Sequence, residues 1–215
     1  AVNAELGSAL YGKKVTAVAA GDAYCLALCS DGGIAAWGYN YKGQLGDGTI
    51  TNRLIPVSVS GVNGVSALFG KIAVAVRASE SHSIALCSDG TVASWGNNGG
   101  GRLGDNSTIQ RLVPVMVNTQ SGVSALYGKF VSDISVGSRC NLALCSDGTL
   151  VGWGVNYGEL GDNTTIDRWA PVEINRSSGV SSLYGKTVTS VSAGWYHSMA
   201  LCADGTVSNW GNNTF

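Results

Sequence analysis

"LALCSDGGIAAWG", Leu26 to Gly38, returns three times along the chain: as "IALCSDGTVASWG" (Ile84 to Gly96), "LALCSDGTLVGWG" (Leu142 to Gly154) and "MALCADGTVSNWG" (Met199 to Gly211). Asp31, Asp89, Asp147 and Asp204 hold one place in each copy, roughly 58 residues apart. An apolar run, an Asp-Gly step and a second run ending in Trp-Gly read as a β-hairpin, because Gly takes positive φ without steric cost. A hairpin that repeats at this period predicts a series of equivalent small sheets.

Two further blocks keep the same period. "QLGDGTITNRLIPV", "RLGDNSTIQRLVPV" and "ELGDNTTIDRWAPV" follow the first three hairpins and carry all the prolines, Pro56, Pro114 and Pro171. "SALYGK", "SALFGK", "SALYGK" and "SSLYGK" precede the hairpins. Each copy then reads as four short strands. Strand A spans Val15 to Gly21, strand B ends at Cys29, strand C ends at Gly38, and strand D surrounds Pro56, whose missing N–H suits an outer edge. A four-stranded meander per repeat predicts an all-β fold of propeller blades. The repeats are placed at 4–62, 63–120, 121–178 and 179–215, one repeat domain whose last copy lacks strand D. The opening "AVNA" resembles the end of a strand D, which suggests a chain cut between strands C and D.

Composition agrees. Of 215 residues, 31 are Gly and only 13% are charged, which suits a turn-rich β protein. A formal net charge of -1 gives no field for nucleic acid or an anionic membrane. No apolar run is long enough to cross a bilayer as a helix, and no charged-then-apolar leader opens the chain.

The repeat resembles that of the regulator of chromosome condensation 1 family: His-Ser-Leu-Ala-Leu, an Asp-Gly turn, a strand ending Trp-Gly-x-Asn, then Gly-Gln-Leu-Gly and a later Pro. "AGWYHSMALCADGTVSNWGNN" (Ala193 to Asn213) and "WGYNYKGQLGDGT" (Trp37 to Thr49) carry the likeness. The resemblance implies a β-propeller, usually of seven blades, used as a protein-binding platform. Four copies then imply a partial propeller, or a half completed by a second chain. Cys replaces the family's Thr before the turn. No wedge insertion of the family's exchange factors and no basic patch of its chromatin binders is visible. Tyr196 stands where a photoreceptor motif of the family has Arg.

Individual residues are read in that frame. Trp37, Trp95, Trp153 and Trp210 recur in register and are expected in the core between blades. Cys29, Cys87, Cys145 and Cys202 share a position on sheets about 10 Å apart, too far for a disulfide. Cys25 and Cys140 complete a set read as small buried thiols. His82 and His197 share a column with Tyr24 and Cys140; the resemblance implies a His inside the blade that bonds the backbone. Asp47, Asp105 and Asp162 recur as turn residues, so no catalytic group and no metal or cofactor site is expected. Asn106, Asn163, Asn175 and Asn212 begin glycosylation triplets of a kind that Asn/Thr-rich turns produce by chance. Arg77 falls on the innermost strand, where the other copies have Ala19, Ser135 and Ser192.

The copies also disagree in places. The A–B connections read Asp22-Ala23-Tyr24, Glu80-Ser81-His82, Ser138-Arg139-Cys140 and Trp195-Tyr196-His197. The C–D connections read "YNYKGQ", "NNGGGR" and "VNYGE". Both leave the same end of a meander, whereas the nearly invariant B–C hairpin leaves the other. One face therefore gathers the variation. Its expected partner-binding residues are Asp22, Tyr24, Tyr39, Tyr41, Glu80, Arg102, Arg139, Tyr157, Glu159, Trp195 and Tyr196. Tyr, Trp and Arg are the types that dominate binding hot spots. The expected activity is non-enzymatic binding of a protein partner, with self-association to complete the propeller as a further expected contact; a structural repeat segment of a large surface or secreted protein, or a carbohydrate-binding propeller, is the alternative.

Overall fold

The computed structural model describes Val2 and residues 4–212. The Gly-closed hairpins and short β-branched runs produce four antiparallel sheets in chain order. The first holds β1 (Val15–Ala20), β2 (Tyr24–Cys29), β3 (Ile34–Gly38) and β4 (Arg53–Ser58). The second holds β5 (Ala73–Ala78), β6 (His82–Cys87), β7 (Val92–Gly96) and β8 (Arg111–Met116). The third holds β9 (Val131–Val136), β10 (Cys140–Cys145), β11 (Leu150–Gly154) and β12 (Arg168–Glu173). The fourth has three strands, β13 (Val188–Ala193), β14 (His197–Cys202) and β15 (Val207–Gly211). The first three sheets run A-B-C-D and the fourth A-B-C from inside outward, and the inner strands β1, β5, β9 and β13 adjoin one another in sequence. These are propeller blades in a partial ring. Of the opening "AVNA", Ala1 and Asn3 lie outside the described residues, and Val2 and Ala4 belong to no strand.

The hairpins close as their sequence requires. The Gly32 N–H donates to the Cys29 carbonyl at 2.9 Å with Gly32 at φ 80°, and the Gly90, Gly148 and Gly205 N–H groups donate in the same way to Cys87, Cys145 and Cys202. At that end, exposed pairs Lys13–Asp31, Lys71–Asp89, Lys129–Asp147 and Lys186–Asp204 repeat. Being solvated, they add little stability.

The core lies between blades. Leu26, Ile84 and Leu142 on strand B and Ile34, Val92 and Leu150 on strand C are buried against the next blade's strand A, at Val76, Ile134 and Val191. Trp95 and Trp153 are fully buried, while Trp37 and Trp210, in the two end blades, are partly so. A buried side chain of this size contributes on the order of 2 kcal/mol. Among the described residues, the two end blades each lack a neighbour on one side. Val18 is 73% exposed where Val76 is 2%, and Val207 is 61% exposed where Val92 is 2%.

All six cysteines are free thiols, five of them buried and Cys25 half-buried. Burial pushes Cys140 up to about 12 and Cys145 up to about 11, which makes both poor nucleophiles. Arg77 lies 3.7 Å from Asp133 of the adjoining inner strand, partly solvated.

The C–D loops look irregular but are tied down by a repeated asparagine. The Asn98 amide donates to Asp105 (2.9 Å) and to the carbonyls of Ser107 and Ile109, while its oxygen accepts from the Leu103 N–H (2.9 Å). Asn40 and Asn156 repeat this pattern around Asp47 and Asp162. The three aspartates also hold Arg53, Arg111 and Arg168 at 2.7, 2.7 and 2.6 Å, so they are turn organisers. We predict that Asn98→Ala costs about 2 kcal/mol or more, because it strands several buried groups. The exposed Thr108→Ala should stay within about 0.5 kcal/mol. Urea midpoints compare the two; equal small effects would mean that the asparagine does not hold the loop.

Candidate functional site

The A–B turns are closed by backbone bonds of one type. The N–H groups of Gly21, Ser79, Gly137 and Gly194 donate to the carbonyls of Tyr24, His82, Cys140 and His197 at 2.8–2.9 Å. All four turns border one depression of about 400 Å³, lined among others by Asp22, Glu80, Ser138, Gly194 and Trp195. Neighbouring turns are linked across it. The Ser79 hydroxyl donates to the Gly137 carbonyl (2.6 Å), and the Ser138 hydroxyl to the Glu80 carboxylate (2.9 Å). Asp22, Glu80 and Trp195 are thus brought together around the inner mouth of the face.

The C–D loops supply a second ring of side chains. Tyr39 and Tyr41 flank the buried Asn40, and Tyr157 follows the buried Asn156, so exposed rings project from a backbone that cannot drift. Tyr39 and Tyr41 stack with centroids 6.4 Å apart, and Lys42 sits 5.7 Å over the Tyr41 ring. Trp195 and Tyr196 stack at 5.9 Å, and Tyr157 meets Tyr196 edge-on at 6.3 Å. The third blade's C–D loop and the fourth blade's A–B turn therefore build one aromatic cluster. The Tyr39–Tyr41 pair is separate, on the first blade. Arg139, in the third blade's A–B turn, is half-buried.

Three expected face residues are not on the surface. Tyr24 is 3% exposed: its hydroxyl donates to the His82 carbonyl (2.6 Å) and accepts from the Ser79 N–H (3.3 Å), joining blades one and two. Arg102 is buried, with Nε donating to the Gly99 carbonyl inside its own loop. Glu159 is buried too, its carboxylate accepting from the Tyr157 N–H, as the Gln44 side chain accepts from Lys42. Each side chain is long enough to fold back and satisfy backbone groups, so a varied loop position is not necessarily an outward one.

The histidines divide. His82 is fully buried, and its Nε2 lies 3.0 Å from Asn141 Oδ1. Asn141 uses its amide N–H on the Arg102 carbonyl, so its oxygen faces the ring and the Nε2–H donates. The bond is to a side chain of the next blade, not to the backbone. His197, in the same column, is exposed because no blade covers it. Sequence reading also missed Trp169, half exposed on β12 beside Gly101 of the second blade's C–D loop. The signal was present: Leu54 and Leu112 hold that column in the other copies. Among the described residues, no group of three His, Cys, Asp or Glu side chains could hold a metal.

Comparison with known proteins places this arrangement. The Regulator of chromosome condensation (RCC1) repeat matches residues 31–86, 89–144 and 147–201, and a second description of the repeat matches 15–44, 73–102 and 188–215. The Ultraviolet-B receptor UVR8 of Arabidopsis thaliana is 28% identical over 253 residues, covering 96% of this chain and 55% of the receptor. The human E3 ubiquitin-protein ligase HERC2 is 29% identical over 202 residues, 94% of this chain but 4% of the ligase. The crystal structure of human WBSCR16 superposes with a TM-score of 0.78 at 25% identity, over 94% of this chain and 49% of that one. The chain spans about half the length of the receptor and of WBSCR16.

Burial gives His82 a pH signature. Desolvation lowers its pKa from 6.5 to about 3. As pH falls, the unfolded chain takes the proton first. The stability His82 contributes is complete above pH 6.5 and is lost as pH falls from 6.5 towards 3, at up to about 1.4 kcal/mol per pH unit. His82→Tyr, the residue used at Tyr24, should flatten the decline between pH 6.5 and 4 in urea titrations. Identical pH slopes for both proteins would contradict the assignment.

Proposed function

The chain belongs to the regulator of chromosome condensation repeat family, and from that premise we propose that it is a non-enzymatic protein-interaction module working through its A–B and C–D loop face. The observation that carries the reading is the cluster of the exposed Tyr157 and Trp195 with the half-buried Tyr196 between them, rings packed on one another at 5.9 and 6.3 Å. Asp22, Glu80, Tyr39, Tyr41 and Arg139 complete the contact surface. Aromatic rings lose little entropy when covered, so a rigid patch of them suits a protein partner. Carriage of such repeats by a light receptor and by a ligase supports recognition rather than one chemistry, since activity resides in sites and not in folds.

A second reading, self-association, rests on the bare end faces. Met199, Leu201 and Val207 of the last blade are exposed, and so are Val15 and Val18 of the first. The equivalents of these two sets cover each other at every internal joint, so the last blade of one copy fits the first blade of another. Sedimentation measures it: the expected mass is that of two chains, falling to one in Leu201→Asp, whereas a native monomer would contradict self-association.

Proteins retained from an extract by the native chain and by a Tyr41→Ala, Trp195→Ala, Tyr196→Ala variant test the face. The expected result is loss of retained partners, with a melting temperature within a few degrees of native, because surface truncations cost about 0.5 kcal/mol or less each. Unchanged retention would overturn the reading. Binding to a glycan array that the same substitutions abolish would favour the carbohydrate-binding alternative.

A further inference from the structure

The segment that leads into each strand A repeats as "SALYGK", "SALFGK", "SALYGK" and "SSLYGK", and the structure gives a task to every recurring residue but one. In the third copy the Leu126 N–H donates to the Ser124 hydroxyl at 3.1 Å, which closes the loop on itself. The Ala125 N–H donates to the Pro171 carbonyl at 2.9 Å and ties the loop to strand D of its own blade. Leu126 is buried. Gly128 turns the chain at φ 67°, a conformation that disfavours any side chain, with open space around it. Lys129 lies 2.5 Å from Asp147 of the B–C hairpin. The residue left over is Tyr127.

Tyr11, Phe69, Tyr127 and Tyr184 hold this place in the four copies and are 53–61% exposed. Among the described residues, the tyrosine hydroxyls of this column have no hydrogen-bond partner, and none of the four rings packs on another ring. Exposed positions elsewhere in the chain drift. The residue after each lysine of the same loops is Lys14, Ile72, Phe130 or Thr187, exposed every time and never the same type. A ring kept in every copy beside a position that drifts answers to something outside the chain. The Lys–Asp pairs place all four rings at the B–C end of the blades, opposite the loop face. Phe69 and Tyr127 stand at internal connections, so the feature does not depend on the end blades.

We infer that the B–C end of the blades binds an uncharged polysaccharide, its sugars stacking their C–H faces on these rings and turning hydroxyls to the neighbouring Lys–Asp pairs. Charge selects this occupant. Each ring is followed two residues on by a lysine that already faces an aspartate, so the repeating unit carries no net charge and no field for an anionic polymer or lipid. Each pair also sets a donor beside an acceptor, and a ring beside such a pair matches a ligand with apolar faces and many hydroxyls. Repetition selects a polymer. A single exposed ring is a weak site, whereas equivalent rings on successive blades engage one repeating chain at several points, and linked weak sites gain strength through effective concentration. The inference uses no residue of the protein-binding face and stands apart from that reading.

Electrophoresis of the 215-residue chain through gels containing amylose, a mixed-linkage β-glucan or a galactomannan tests it. Retardation by at least one of these polymers is expected, with apparent affinity about tenfold or more lower for Phe69→Ala, Tyr127→Ala, Tyr184→Ala, which removes the linked sites together. Tyr127→Phe combined with Tyr184→Phe should be retarded like the native chain, because Phe69 already serves at this position. Retardation by none of the three polymers, or equal retardation of the triple alanine variant, overturns the proposal. So does binding confined to alginate or to phosphatidylcholine vesicles, which would give the face to an anionic polymer or a lipid surface. The loop-face variant Tyr41→Ala, Trp195→Ala, Tyr196→Ala separates the two faces: if it alone abolishes retardation, the sugar sits on the loop face and the proposal falls.

Discussion

The backbone carbonyl of residue 44, with its counterparts at 102 and 159, is the point on which the arrangement turns. The Gln44 carbonyl accepts from the Trp95 indole at 2.9 Å and the Ser83 hydroxyl at 2.8 Å, both on the next blade. The Glu159 carbonyl accepts the equivalent pair from Trp210 and Ser198. At the middle joint Asn141 replaces serine and reaches the Arg102 carbonyl itself at 2.7 Å, leaving the Trp153 indole N–H without a partner. At the first and third joints the Trp is therefore both the filling of the joint and a donor to the loop that precedes it, and at the middle joint Asn141 takes over the donor's part. Each joint locks a C–D loop to the following blade at the place where the aromatic side chains emerge.

This coupling explains how one face varies while the fold does not. The buried Asn40, Asn98 and Asn156 fix the loop from within, and the joint fixes it from outside. Between those anchors, Tyr39, Tyr41 and Tyr157 point outward and carry no structural duty. A stiff loop with free side chains is the combination that lowers the entropic cost of binding. The B–C hairpin at the opposite end has only its Lys–Asp pairs to vary, and it hardly does.

The fold was legible because the chain supplies its own comparison. Copies of Asp-Gly and Trp-Gly in register place strands B and C to within a residue, and one proline per complete copy marks strand D. The site was less legible, for a physical reason. Variation between copies points to exposure at Tyr24, yet Tyr24 shares a column with His82 and Cys140, and all three are buried. That column points into the joint, where the facing residue changes too: Tyr24 reaches a backbone carbonyl, and His82 needs Asn141. A buried column can vary when its partner varies with it, which a single-column comparison does not reveal. Arg102 and Glu159 fail differently, since a long polar side chain can cap its own loop. Trp195, Tyr157, Tyr39 and Tyr41 are exposed, since rings of that size in a short turn have few places to go but out, while Tyr196 is half-buried in its stack with Trp195.

The account stands on the C–D loops being as rigid as the blades they join. Native-state amide hydrogen exchange tests this most directly at the N–H groups of Leu45, Leu103 and Leu160, which donate to the buried asparagines at 3.0, 2.9 and 3.3 Å. The account predicts that they exchange as slowly as the amides at the centres of β6 and β10, opening only with the whole blade. Exchange at the rate of ordinary exposed loops would contradict it, and the aromatic face would then be a set of mobile loops instead of a preformed surface.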